Sequence, residues 1–214
     1  MSTTQDTQGQ FVDFEGLRIE YDARVLAPRA WTAAQSHWAA DLIRTVPRGP
    51  VLELCSGAGH IGLLAVALAP RPLVCVDNDA VACGFLRRNA ALAGIAVDVR
   101  EGPMDAVLDD HEKFAVIVAD PPWVRTSDVG RYPEDPVSAI DGGGDGLALA
   151  RTCLDVIDRH LMVEGSAVLQ VGPLGQAERI GALVASYDEL DVVAVRDHER
   201  GALVRIDRVP TEAG

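Results

Sequence analysis

VLELCSGAGHIG, residues 51 to 62, passes from a short apolar run through a glycine-rich turn into an apolar helical pattern (Ile61, Leu64, Ala65, Leu68). That is strand, loop, helix. Gly57 and Gly59 let backbone approach a ligand where a side chain would collide, and the helix that follows presents free N–H groups at its start. Ser56 and Cys55 complete the loop. A second apolar run, Leu73 to Val76, ends in Asp77, an acid placed to accept hydrogen bonds from ribose hydroxyls, with Asn78 beside it for an adenine edge. The pair reads as the site of a nucleoside-containing cofactor.

Residues 57–62 literally match the G-x-G-x-x-G of dinucleotide binding. Two features oppose a nicotinamide cofactor. Glu53 sits inside the first strand, where a dinucleotide site gives it no role and unpaired ionised burial is costly; it is read as a contact for the ammonium or ribose end of a cationic amino-acid cofactor. A second motif, Asp120-Pro121-Pro122-Trp123, has no use in nicotinamide chemistry. With both motifs in view the chain resembles the class I S-adenosylmethionine-dependent methyltransferases, whose first loop reads acid-x-Gly-x-Gly-x-Gly; Cys55 stands where the first glycine usually does. The resemblance implies S-adenosyl-L-methionine as cofactor.

Outward from these motifs, strands expected at 51–55, 73–77, 97–99, 114–119 and 167–171 alternate with helices at 60–69, 79–93, 146–161 and 176–187. Such repeated units imply an α/β fold with a doubly wound, mostly parallel sheet, and the resemblance makes it a Rossmann-like methyltransferase fold. The runs at 190–195 and 202–206 close the chain as a C-terminal antiparallel strand pair. Before the core, residues 11–25 alternate around Glu15-Gly16 as a hairpin, and a helix is expected from Trp31 to Thr45 with Trp31 and Trp38 as packing residues. The domain reading is a disordered tail at 1–10 and a single methyltransferase domain at 11–214, divided into an N-terminal hairpin/helix extension (11–49) and a cofactor-binding and catalytic core (50–214). The long stretch from Trp123 to Gly144 lacks periodicity and reads as a substrate-side loop.

Composition limits the partners. With 32 acidic against 19 basic residues the net charge is −13, so a long polyanion is repelled unless basic residues gather on one face; Arg24, Arg29, Arg125 and Arg131 are the candidates for such a patch. No run approaches the ~20 apolar residues of a membrane span, and the polar start lacks a signal pattern, so no membrane association and a cytoplasmic location are expected. The four cysteines show no paired spacing and no His/Cys cluster has metal spacing, so they are read as buried residues and no metal is implied.

Asp120 to Trp123 carries the chemistry. Two prolines fix the turn and remove two N–H donors, leaving directed carbonyl acceptors; Asp120 adds another acceptor and Trp123 a broad π face. That combination suits a planar amino group, whose N–H bonds find acceptors while its conjugated plane stacks on the indole. The motif is similar to the Asp/Asn-Pro-Pro-aromatic signature of amino-methyltransferases. Its surroundings resemble the protein-glutamine (release-factor) methyltransferases: Val25-Leu26-x-Pro28-Arg29-x-x-Thr32 before the core, then Asp135-Pro136, Ala139, Gly142-Gly143, Asp145-Gly146-Leu147 and Arg151 after it. The likeness covers residues 25 to 172. It departs in three places: the family has Asn at Asp120 and usually Tyr at Trp123, many members carry a separate N-terminal helical domain not seen here, and the adenine-binding acid after the third strand is replaced near Gly102-Pro103-Met104, with Met104 a candidate for packing on adenine.

The expected function is therefore S-adenosylmethionine-dependent N-methylation of a planar amino group, on a protein glutamine amide or a small molecule. Asp120, Pro121, Pro122 and Trp123 are the catalytic candidates; Glu53, Cys55, Ser56, Gly57, Gly59, Asp77, Asn78, Met104, Asp120 and Thr32 are those for the cofactor. Two alternatives stay open. A nucleic-acid adenine N6-methyltransferase requires basic residues around Asp120, and a non-catalytic cofactor-binding partner subunit accords with the altered Cys55 and Pro103 positions.

Overall fold

Strands made almost wholly of apolar residues are stable where both sheet faces are covered, and Val51–Leu54, Leu73–Asp77 and Phe114–Ala119 lie in such a place. The computed structural model describes residues 9–198 and 200–210. In chain order the elements are β1 (Gln10–Phe14), β2 (Leu17–Tyr21), α1 (Ala33–Thr45), β3 (Val51–Leu54), α2 (His60–Leu68), β4 (Leu73–Asp77), α3 (Ala80–Ala93), β5 (Val97–Glu101), β6 (Phe114–Ala119), α4 (Val137–Ile140), α5 (Ala148–His160), β7 (Leu161–Val171), α6 (Leu174–Val184), β8 (Leu190–His198) and β9 (Gly201–Arg208). The seven-stranded sheet runs β5-β4-β3-β6-β7-β9-β8. Its first five strands are parallel, and β9 is antiparallel to both neighbours.

Side-chain alternation divides the core into two layers. Val51, Cys75, Val116, Val118 and Val168 face α1, α2, α3 and the β1–β2 hairpin, which contributes Phe14 and Ile19. Leu52, Leu54, Val76, Ile117 and Leu169 face α5 and α6. This is the doubly wound sheet expected from the sequence, with the antiparallel C-terminal strands and the N-terminal hairpin in place. Among the described residues no helix is long and apolar enough to cross a membrane.

Local differences have local causes. Residues 1–8 of the expected tail lie outside the described residues, whereas Gln10 already pairs with Tyr21. The helix expected from Trp31 begins at Ala33, after a single 3-10 turn over Ala30–Thr32. Strand β7 starts at Leu161 instead of Ala167: Leu161 pairs with Phe114, and the chain bulges out before Ser166 pairs with Val116, with Glu164 at φ 60°. Met162-Val163-Glu164-Gly165 is a bulge inside the strand. Helix α6 starts directly after Pro173, whose fixed φ suits a helix entry. The stretch after Trp123 is not structureless: it holds a 3-10 segment (Thr126–Arg131) and the short α4.

Candidate active site

Strand order reverses at β3: the chain moves outward to β4 and β5, then returns to β6 on the other side. Ligands of open α/β sheets bind at the carboxyl ends of strands flanking such a point. Leu54 of β3 pairs with Val76 of β4 and with Ala119 of β6. Cys55-Ser56-Gly57, Asp77 and Asp120-Pro121-Pro122-Trp123 therefore leave the sheet side by side on one edge.

The glycine loop is built from left-handed backbone. Cys55 (φ 55°), Gly57 (φ 52°) and Gly59 (φ 83°) all lie where glycine is favoured, so Cys55 occupies a glycine's conformation at a cost of about 1–2 kcal/mol. Gly57 and Gly59 do different work. A Cβ on Gly57 would meet nothing within 4 Å, so its face is open; one on Gly59 would fall 2.6 Å from Leu86 of α3. The Gly57 N–H donates to Asp77 Oδ2 at 2.7 Å and the Asp79 N–H to Asp77 Oδ1 at 2.9 Å, which leaves each carboxylate oxygen further lone pairs. Burial raises the Asp77 pKa. Asp79, not Asp77, caps α3, by accepting from the Val81 N–H at 2.7 Å. Asn78 is exposed beside it. The Gly102 N–H donates to the Asp77 carbonyl at 2.9 Å, which brings half-buried Met104 to the same edge; there the Cys153 thiol lies 3.7 Å from its sulfur.

Three residues expected to touch the cofactor each have internal hydrogen-bond partners, and of the three only Thr32 lines the cleft beyond the loop. Glu53 is 2% exposed; its Oε1 accepts from Gly62 N–H at 2.9 Å and its Oε2 from the Cys75 thiol at 3.2 Å, so it supports the loop from behind. Its pKa rises to about 7, chiefly through burial and further through Asp77 and Asp120. Ser56 is buried, and its hydroxyl donates to the Val76 carbonyl at 3.3 Å. Thr32 is also buried; its hydroxyl donates to the Arg29 carbonyl at 2.8 Å and meets His60 Nε2 at 3.2 Å. A polar residue near a site in sequence has no say in which way its side chain turns once strands and helices pack.

Beyond the loop, a cleft of about 840 Å³ is lined by Asp120 to Trp123, Trp31, His60, Arg29 and Tyr132, with Asp197, His198 and Arg200 of the β8–β9 hairpin along another wall. Burial pushes the Asp120 carboxyl up to about 7, and among the described residues no hydrogen bond or ion pair engages it. His60 is driven down to about 4, also by burial. Arg29 forms a 2.5 Å ion pair with Asp135 that joins the segment before α1 to the loop after β6. Arg24 is paired with Asp22 and Arg131 with Asp128, so three of the four arginines proposed as a basic patch already face carboxylates. Trp31 lines the cleft, whereas Trp38 is 4% exposed and packs in the core. His60 escaped the sequence reading although its place in the glycine loop was a usable signal; the hairpin wall left none.

A doubly wound sheet with a glycine loop, a paired acid and a proline-rich acceptor turn at its switch point defines the Rossmann-like methyltransferase class. Residues 36–132 match the model of the Methyltransferase small domain family. The release factor glutamine methyltransferase of Deinococcus radiodurans is 34% identical over 167 residues, which are 76% of this chain and 59% of that protein. That of Xylella fastidiosa is 30% identical over 204 residues, 92% of this chain and 73% of that protein. Among solved structures, ribosomal protein L11 methylase from Lactobacillus delbrueckii subsp. bulgaricus superposes with a TM-score of 0.64 at 19% identity, covering 88% of this chain and 84% of that one. The chain belongs to the release factor glutamine methyltransferase family, and it spans less than two thirds of the length of the Deinococcus relative.

Proposed function

We propose that this chain moves the methyl group of S-adenosylmethionine to the side-chain amide nitrogen of a protein glutamine. One juxtaposition supports the reading: the open Gly57 loop and the Asp120–Trp123 turn emerge side by side from register-paired strands, and His60 at the end of that loop lines the same cleft as the turn. Charge favours this cofactor over a dinucleotide. Glu53 is already repelled by Asp77 and Asp120, a strain that a sulfonium relieves and a pyrophosphate worsens. The Gly62 N–H at the start of α2, a natural phosphate donor, is taken by Glu53.

Gly57 would admit the cofactor's amino-acid end, the spare lone pairs of Asp77 its ribose hydroxyls, and Asn78 and Met104 its adenine. When bound, the cofactor supplies an electrophilic methyl on a positively charged sulfur. An amide nitrogen is a weak nucleophile because its lone pair is delocalised. Asp120 and the Pro121 carbonyl accept its two N–H bonds and fix the direction in which that lone pair can be exposed, while Trp123 covers the amide plane. Only one proton must leave after transfer, and the Asp120 carboxylate is placed to take it. Protein is favoured over nucleic acid by the relatives' substrates and by the paired state of the arginines near the mouth.

Labelled-methyl transfer into size-fractionated extract tests this. Label is expected in protein and, after enzymatic digestion, in methylated glutamine. Label in RNA or DNA instead would move the reading to an adenine amino group. No calorimetric binding of either S-adenosylmethionine or its demethylated product would end it.

A further inference from the structure

We infer that Gln35 and Gln176 are positioning residues that clamp the two ends of the Asp120–Trp123 turn, leaving the Asp120 carboxylate and the Pro121 carbonyl as its acceptors for substrate. The inference rests on the proposed methyl transfer for its consequence, and on geometry for its substance.

Gln35 lies in α1, 0% exposed. Its Nε2 donates to the carbonyl of Ala119 at 2.9 Å and to that of Val168 at 3.0 Å, so it spans β6 and β7 and fixes the peptide immediately before Asp120. Its Oε1 is buried without a partner. An apolar side chain of the same length would fill the space but would take this donor from both carbonyls.

At the far end, Gln176 of α6 donates from Nε2 to the Trp123 carbonyl at 3.0 Å and accepts from the Gly172 N–H at 2.8 Å. It ties the end of the turn to the end of β7. Glycines close the remaining space: a Cβ on Gly172 would fall 2.7 Å from Cε3 of the Trp123 ring, and one on Gly142 would fall 2.7 Å from the Pro122 carbonyl oxygen. Backbone thus covers the Pro122 carbonyl and one edge of the indole. Among the described residues no donor reaches the carbonyl of Pro121, which lines the cleft.

Positioning of this kind acts on the rate at saturation and spares ground-state binding. Gln35→Met and Gln176→Met keep length and remove the donor. Both are expected to lower the saturating rate of methyl labelling of the protein fraction by about tenfold or more, with the calorimetric Kd for S-adenosylmethionine within about threefold of wild type. Gln35→Glu and Gln176→Glu, which can donate only when protonated, should recover rate as pH falls. A second readout needs no turnover. In protein labelled with 5-fluorotryptophan, the Trp123 resonance, assigned through Trp123→Phe among the three tryptophans, should shift or broaden in Gln176→Met. Saturating rates within about twofold of wild type in both Met variants would overturn the inference, as would rate losses matched by equal losses of cofactor affinity or of folded protein. If wild type labels no protein, the proposed function fails; an unchanged Trp123 resonance in Gln176→Met then overturns the clamp, and a shifted one upholds it.

Discussion

Glu53 Oε1 accepts the Gly62 N–H at 2.9 Å, so the strand that enters the site also holds the first turn of the helix that leaves it. A Cβ on Gly62 would lie within contact of both Oε2 and Cδ of Glu53, so only glycine lets the carboxyl come this near. The pair sets the curvature of the glycine loop from beneath.

Glu53→Gln keeps an acceptor for Gly62 and removes a buried titration. The Glu53 carboxyl is raised from 4.5 to about 7. A folded-state pKa above the unfolded value means an extra bound proton in the folded protein between the two, so wild type loses stability as pH rises through that window. Glu53→Gln should therefore exceed wild type in unfolding free energy by about 1–3 kcal/mol near neutral-to-alkaline pH, with the difference closing toward about pH 4. Urea melts across that range give the answer; a pH-independent difference would show that the buried carboxyl is not the cause.

Asp120→Ala removes the acceptor at the proposed reacting centre without touching the loop. Methyl labelling should fall by about 10²-fold or more, with cofactor Kd changed only a few-fold, since the lost bonds act on the substrate nitrogen. Asp120→Asn, the residue the family uses there, restores an acceptor and should retain transfer. It should also flatten any pH dependence of the rate near pH 7, where the Asp120 carboxyl titrates. Full activity in Asp120→Ala would displace the reacting centre from this turn.

Cys55 at φ 55° makes a different test, chiefly of backbone, with its packing against the α5–α6 side of the core as the smaller part. Cys55→Gly should stay within about 1 kcal/mol of wild type, relief of strain offsetting the greater freedom of the unfolded chain. Cys55→Val, β-branched in a left-handed position, should lose about 2 kcal/mol or more. Equal stability of the Gly and Val variants would mean that the loop does not require this conformation.

The Arg29–Asp135 pair joins segments 106 residues apart across the cleft mouth. Arg29 is 38% exposed, so Asp135→Ala should cost under about 1 kcal/mol of global stability. Its effect belongs to the cleft: faster hydrogen exchange in residues 126–140 and a raised KM for the proposed protein substrate at nearly constant kcat. A lowered kcat with unchanged KM would place the pair in the chemistry instead.

The sequence by itself determined the sheet, its doubly wound connection and the two motifs at strand ends, because each is written locally: apolar runs of strand length, a glycine turn entering a helix, an acid at the end of the next strand, and two prolines that fix their own backbone. Tertiary structure alone decided what each polar group faces. Glu53 looks like a ligand contact by position and is held by Gly62 and Cys75, and Thr32 reaches the cleft wall already bonded to Arg29 and His60. Gln35 lies 84 residues from Ala119 and Gln176 53 residues from Trp123, yet they hold the turn's ends. A hydrogen-bond partner that far along the chain leaves no period or spacing to read; it is fixed only when helices settle on the sheet and a buried donor must find the nearest free carbonyl.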